Sequence, residues 1–423
     1  CFDITKHMGT KTLPLLFTDK AKPIKTHHTC ELQQLYLIAR HGTRYPTDTD
    51  ITSFNELEKI FQNVPYAKDW YKNPFPLRKQ GLLTYRGEKE HYLMGKRSRK
   101  RYQKFWNKNL PYDPNVISFQ STSVARTGMS GFAYSLGLLN GEGILGKDES
   151  QSVYISSTPK AQDEELLMHT ACPRWLETVD KNNVFLENEK AEFSAKYLSK
   201  IATRISESLH ITPELTPKQA EAIYKACAFA ISYYDETNTW CSLLKQNEIL
   251  EIEYYGDMLD YHLYSYGNEL NEKLGCRLIS NIISNIDKYL IGNSTLKADL
   301  KFAHSESLQF LTTIMGLYED EVPLTVNSLP ENMYKRKFRT SSIFYFSSSV
   351  YFEIYTCVEK GVHTSTYIHA LVNEKSVTIP GCGSNYCEWN KFKELIASKL
   401  LGISASALRR WNRKSKIQSS RLP

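Results

Sequence analysis

No stretch of this chain approaches the ~18 uninterrupted apolar residues that a membrane-spanning helix requires. The nine Cys are scattered, without the close pair of pairs that builds a zinc site. Heptad arrays, RNA-binding motifs, internal repeats and low-complexity linkers are missing too. These absences exclude a membrane-spanning helix, a small zinc module and a coiled coil. Charge of one sign is also in short supply. Fifty-three Lys and Arg against 46 Asp and Glu leave +7, modest for 423 residues. Basic runs do occur, Lys96-Arg97-Ser98-Arg99-Lys100-Arg101 and Arg409-Arg410-Trp411-Asn412-Arg413-Lys414. A solvated helix face is the common reading of such runs, and nucleic acid the rarer one. A small anionic substrate accounts for the balance equally well. The chain opens at Cys1 with neither Met nor a signal-like apolar region, as expected of a mature or trimmed form. Its last residues, Ser420-Arg421-Leu422-Pro423, are not an ER-retrieval signal.

What is present describes a folded protein. Hydrophobic content is 41% and aromatic content 12%, with 27 Tyr, far from a disordered composition. The length suits one large domain or two intimate ones. Cys1 aside, eight Cys suit four disulfides and a secretory-pathway protein, with reduced core thiols as the alternative. Asn293-Ser294-Thr295 is a glycosylation acceptor that fits the same compartment.

The stretch that organises the chain runs from Leu35 to Pro46. Leu35-Tyr36-Leu37-Ile38-Ala39 has the character of a buried strand, and it stops abruptly at Arg40-His41-Gly42-Thr43-Arg44. Ligands sit beyond the carboxyl ends of strands in open α/β sheets. Arg forks match phosphate oxygens, and an imidazole among them can attack phosphorus. The plainer reading is a polar loop with a hydrogen-bonded His. Gly42 is expected to let substrate approach the backbone closely.

Two further junctions repeat the pattern. Val116-Ile117-Ser118-Phe119-Gln120 reads as a strand, and Ser121-Thr122-Ser123 as N-cap residues for a helix carrying Arg126 in its first turn. Phe132, Leu136 and Leu139 recur at helical spacing and are expected in the core. Leu300-Lys301-Phe302-Ala303 then leads to His304-Ser305-Glu306 and an apolar helix over 310–317. A single first-turn Arg more often pairs with a surface carboxylate, and a first-turn Glu often only complements the helix dipole. Together, however, three strand ends carry Arg40, His41, Arg44, Arg126, His304 and Glu306, and a parallel sheet would bring them to one edge.

Elsewhere, residues 1 to about 30 read as a polar, extended lead-in, and 53–110 as helical. Residues 160–290 read as a mainly helical insertion whose Tyr254, Tyr255, Leu259, Tyr261, Leu263 and Tyr264 form a core face. The segments 348–355 and 364–371 read as paired antiparallel strands with Gly361 in the turn.

Arg40-His41-Gly42-Thr43-Arg44-Tyr45-Pro46 resembles the Arg-His-Gly-x-Arg-x-Pro motif of the histidine acid phosphatases, which fixes five residues within seven. Ser123-Val124-Ala125-Arg126-Thr127 is similar to the segment that supplies a third Arg. His304-Ser305-Glu306 resembles the His-Ala-Glu of the multiple inositol polyphosphate phosphatase branch, with the middle residue changed. Trp240-Cys241-Ser242-Leu243, Tyr264-Ser265-Tyr266-Gly267, Val372-Asn373-Glu374-Lys375 and Pro380-Gly381-Cys382 look like the same branch.

The resemblance implies an α/β fold, a central mostly parallel sheet flanked by helices, with a mainly helical cap. The core would comprise 30–150 and 290–400, with 53–110 and 160–285 as cap-forming insertions and 401–423 as a basic tail. It implies His41, Glu306 and His304 as catalytic residues, Arg40, Arg44 and Arg126 as phosphate ligands, and no metal or cofactor. It also implies bridges Cys30–Cys357, Cys227–Cys241 and Cys382–Cys387, leaving Cys172–Cys276 as the remaining pair and Cys1 spare. The implied substrate is a polyanion: phytate and lower inositol polyphosphates, with 2,3-bisphosphoglycerate as a secondary one. Arg78, Lys79 and residues of the 160–290 insertion are candidate contacts for non-reacting phosphates. Neither nucleic acid nor a membrane-spanning partner is expected. A secreted, ER-lumenal or cell-surface location is. The rivals are a broad-specificity acid phosphatase or a mutase of the same clan, and a non-catalytic inositol-phosphate binder.

Overall fold

The computed structural model describes residues 2–24, 29–359 and 363–401. One eight-stranded mixed sheet organises it. Strands β1 (Cys30–Arg40), β2 (Ile117–Thr122), β3 (Ile155–Thr158) and β4 (Ala298–Ala303) run parallel in the order β3-β2-β4-β1. Beyond β1 the sheet turns antiparallel through β5 (Ser349–Glu359), β6 (His363–Val372) and β7 (Lys375–Val377), and β8 (Tyr386–Glu388) also pairs with β6. The β5–β6 pairing is the one the sequence suggests. Gly361, Cys1 and the tail from 402 onward lie outside the described residues.

Strand β1 is buried on both faces, and its side chains alternate between two cores. Tyr36 and Ile38 join a large cluster shared with the helices of the 160–290 region, whereas Leu35, Leu37 and Ala39 face a smaller cluster. Helices α1 (Asp48–Phe61), α2 (Tyr85–Arg101), α3 (Gln103–Asn109) and α4 (Ala125–Leu138) follow the first two strands. Thr47 and Asp50 close a capping box at the start of α1. α1 packs on the long helix Pro217–Tyr234, and α2 lies against α4.

Helix α2 and its contacts correct two expectations. A Cβ on Gly137 would sit 2.0 Å from the Tyr92 carbonyl oxygen, and one on Gly95 2.1 Å from that of Tyr134. Backbone-on-backbone approach at these glycines fixes the rotation of α4. It buries Tyr134 and Leu138, and leaves Phe132 52% exposed rather than in the core. The basic run of α2 is likewise not a solvated face. Arg97 is 3% exposed and grips Glu374 in the β6–β7 turn, with Nη2 2.7 Å from Oε1. Arg99 pairs with Glu142, Lys100 with Asp19 and Arg101 with Glu353.

Cys30–Cys357, Cys227–Cys241 and Cys382–Cys387 are bonded. The first follows from register, because these residues are directly paired between β1 and β5. Cys172 and Cys276 are free thiols, so among the described residues there are three bridges rather than the expected four. Both pack half-buried against the large core as small apolar side chains.

Candidate active site

Parallel register brings the three junctions together. Arg40 lies opposite Ala303 across β1 and β4, and the His41 N–H donates to the Ala303 carbonyl at 3.0 Å. His41 and His304 therefore leave the sheet side by side, their rings 5.5 Å apart and steeply inclined. Neighbouring β2 ends one strand over and feeds α4, with Arg126 in its first turn. Arg40, His41, Arg44, Arg126, His304 and Glu306 all line one cavity of about 180 Å³.

The loop after β1 is held from behind. The Thr43 N–H and hydroxyl donate to the Glu90 carboxylate at 2.9 and 2.6 Å, and the Ser347 hydroxyl donates to it at 2.7 Å. A Cβ on Gly42 would meet the Gly87 carbonyl oxygen at 2.4 Å, so this glycine is required by helix α2 at its back rather than by substrate at its front. The Gly42 N–H donates to Ser130 Oγ at 3.1 Å, tying the loop to α4 as well.

One hydrogen bond sets the state of His41. Its Nδ1 lies 2.8 Å from the Gly42 carbonyl oxygen, which can only accept, so Nδ1 carries the hydrogen and Nε2 keeps its lone pair. Burial, then Arg40, Arg126, His304 and Arg44, hold the imidazole well below its ordinary pKa. It is thus neutral in mild acid.

The cations around it are fixed unequally. Arg40 donates through Nη1 to the carbonyls of Thr10 and Phe344, and its guanidinium lies 4.6 Å over the Phe346 ring. Burial and then Arg44 lower it to about 9. Arg44 bonds the Tyr45 carbonyl at 2.8 Å. Burial and Arg44 bring Arg126 to about 10, and its Nη2 stands 3.4 Å from His304 Nδ1.

On its other side, His304 Nε2 meets the Thr122 hydroxyl at 3.0 Å, and burial lowers its pKa to about 3. Thr122 is therefore not an N-cap. Helix α4 starts at Ala125, with Val124 at the cap and no side-chain capping bond. Thr122 and Thr127, 2.7 Å apart, form instead a hydroxyl pair behind His304. Burial alone would raise the Glu306 carboxyl, but His304, His169 and Arg40 outweigh it and hold it below the usual carboxylate range.

Three residues in the cavity wall escaped the sequence reading, Thr10, Lys11 and Asp260, and Tyr264, expected on a core face, lines the cavity as well. The first part of the N-terminal segment is not an extended lead-in. It forms two 3₁₀ turns, Ile4–Lys6 and Gly9–Lys11, pinned across the site. The Tyr224 hydroxyl donates to the His7 carbonyl at 2.6 Å, His7 Nδ1 meets Glu253 at 3.1 Å, and the Phe346 N–H donates to Thr12 at 3.1 Å. Burial lowers Lys11 to about 8. Asp260, bonded by Gln309 Nε2 at 3.0 Å, is raised by burial to about 7. The sequence did carry a signal for it, an acidic residue on the same helical stripe as Glu253, Asp257 and Tyr264. Lys11 had none. Arg78 is exposed and Lys79 bonds the Tyr45 hydroxyl at 3.2 Å, so neither lines the cavity.

Comparison with known proteins gives the family and the fold. The family model described as "Histidine phosphatase superfamily (branch 2)" matches residues 31–373. The chain is 29% identical to "Multiple inositol polyphosphate phosphatase 1" of Dictyostelium discoideum, over 86% of its own length and 66% of the relative's. In structure it is similar to the phytase from D. castellii, with TM-score 0.77, 17% identity, and coverage of 95% of this chain and 86% of that one. A multiple inositol polyphosphate phosphatase of Bifidobacterium longum, solved with inositol hexasulfate, gives TM-score 0.70 at 14% identity, over 93% of this chain and 98% of that one. At these identities the structural likeness speaks for the fold.

Proposed function

Because this chain belongs to the histidine phosphatase superfamily (branch 2), we propose that it removes phosphates from inositol polyphosphates through a phosphohistidine on His41, with Glu306 as proton donor. The observation that carries the reading is the 2.8 Å bond from His41 Nδ1 to the Gly42 carbonyl, which aims a bare Nε2 among guanidiniums. Nε2 attacks phosphorus in line with the ester oxygen. The N–P bond forms as the P–O bond breaks, and Arg40, Arg44, Arg126 and His304 take up the charge on the three phosphoryl oxygens. The departing alkoxide takes a proton from Glu306. Water then attacks the phosphohistidine, Glu306 receives the water's proton, and phosphate leaves.

Glu306 starts from the ionised side, so the bound phosphate has to load it. A phosphate dianion cancels the field of the guanidiniums and pushes the nearby carboxyl back up. Substrate thus recruits its own acid. The names of the relatives support an inositol polyphosphate as that substrate, and 2,3-bisphosphoglycerate offers the same paired phosphates. The three disulfides fit an oxidising compartment, and we place the protein in the secretory pathway, secreted or surface-associated, with a sugar on Asn293. Among the described residues no helix is long and apolar enough to cross a membrane.

Time-resolved chromatography of products from inositol hexakisphosphate tests the substrate. A ladder of lower inositol phosphates is expected. Turnover of simple monoesters with the hexakisphosphate left intact would replace the reading with a broad-specificity acid phosphatase, and no turnover of either with a binder.

A further inference from the structure

A second cavity, about 190 Å³, adjoins the catalytic one, and Thr10, Lys11 and Asp260 belong to the walls of both. Its outer wall is the helix Pro217–Tyr234, which contributes Glu221, Tyr224 and Lys225. Lys11 stands between the two spaces. Among the described residues its ammonium makes no ion pair or hydrogen bond, and Asp50 and Asp260 act on it only through space. Burial lowers its pKa to about 8, so it stays charged at neutral pH. A largely buried cation without a counter-ion is costly, and an anion arriving beside it removes that cost. Lys225 acts on Lys11 across the same void. Its Nζ is held 2.7 Å from Glu221 Oε1, one helical turn away. Of the other two carboxyls of this wall, Glu253 is already engaged by Arg336 at 3.3 Å and by His7 at 3.1 Å, and burial raises Asp260 to about 7, so that it is protonated in mild acid. In mild acid the fixed charges facing the cavity therefore leave an excess of positive charge on Lys11 and its neighbour.

We infer that this annex receives a second phosphate of the substrate, gripped between Lys11 and Lys225, while the first lies against His41. The inference rests on the proposed inositol polyphosphate reading and deepens it. A ring with phosphates on neighbouring carbons can fill both spaces at once, whereas a simple monoester leaves the annex empty. Lys225 is then a specificity-determining residue, and Glu221 restrains it by competing for its charge.

The test measures inhibition of p-nitrophenyl phosphate hydrolysis by two probes, inositol hexakisphosphate and inorganic phosphate. Lys225→Met should raise the inhibition constant of the hexakisphosphate roughly tenfold. Glu221→Gln should lower it, which a merely damaged fold would not do. Inorganic phosphate, which needs only the His41 pocket, should keep its constant within about twofold in both variants. An unchanged hexakisphosphate constant, or equal shifts for both probes, overturns the annex. If the wild type cleaves p-nitrophenyl phosphate but neither cleaves nor binds the hexakisphosphate, the substrate reading falls and takes the annex with it. If the wild type cleaves the hexakisphosphate and both variants behave as wild type, only the annex falls.

Discussion

Glu306 and His41 sit in the same cationic field, and the field does opposite things for them. It keeps His41 unprotonated, which a nucleophile needs, and it keeps Glu306 ionised, which a proton donor does not. The substrate's own charge resolves the conflict for Glu306. The consequence depends on the leaving group. Glu306→Gln should cost roughly 10²–10⁴-fold in kcat on an alkyl phosphate. On p-nitrophenyl phosphate, whose leaving group hardly needs a proton, the loss should be far smaller. Parallel kinetics on the two esters check this, and equal losses would remove Glu306 from the acid role. At this scale the sequence is informative where chemistry clusters in one short stretch. Arg40, His41 and Arg44 are adjacent in the chain, and His304 with Glu306 shares one helix start. Lys11 and Asp260 join them only through long-range packing, which leaves no local trace of Lys11 and only a place on a helical face for Asp260. Gly42 was legible as a requirement, yet its cause lies in Gly87, a partner distant in sequence.

Among elements, the α2–α4 contact positions the most. α4 carries Arg126 toward the cavity and Ser130 toward the Gly42 N–H, and α2 carries Glu90 to the motif loop. The two helices meet through Gly95 and Gly137 without room for a methyl group. Gly137→Ala should therefore destabilise the protein by about 2–3 kcal/mol through forced separation of the helices. Urea unfolding measures this, and kcat should fall as Arg126 and Glu90 shift. A neutral Gly137→Ala would mean that the helices tolerate a wider spacing. Helix existence was readable from periodicity here, but helix rotation was not. Phe132, Leu136 and Leu139 fit a core stripe on spacing alone, and the glycine contact turned Phe132 outward. The Lys96–Arg101 run misled for a related reason. Its counter-charges, Glu374, Glu353, Glu142 and Asp19, come from four separate parts of the chain.

Across the whole molecule, strand order and register were the decisive facts, and the sequence supplied only their ingredients. Apolar strands ending in chemistry at β1, β2 and β4 were legible. Their adjacency in the order β2-β4-β1 is a property of the folded sheet. Charge at the shared edge also affects stability. An unfolded Asp titrates near ~3.9, whereas burial raises Asp260 to about 7. A raised carboxyl contributes its full share of stability below the unfolded value and loses it as pH climbs to about 7. Asp260→Asn should thus be nearly neutral in stability at pH 4 and stabilising by on the order of 2 kcal/mol at pH 8. Thermal unfolding across that range checks the sign, and a gain confined to acid would contradict it. The central claim is covalent, and trapping tests it most directly. Denaturing the enzyme in alkali during turnover of a labelled phosphate ester, then sequencing the labelled peptide, should find acid-labile phosphate on His41 and none in His41→Ala. Label on another residue, or steady phosphate release by His41→Ala, would contradict the account.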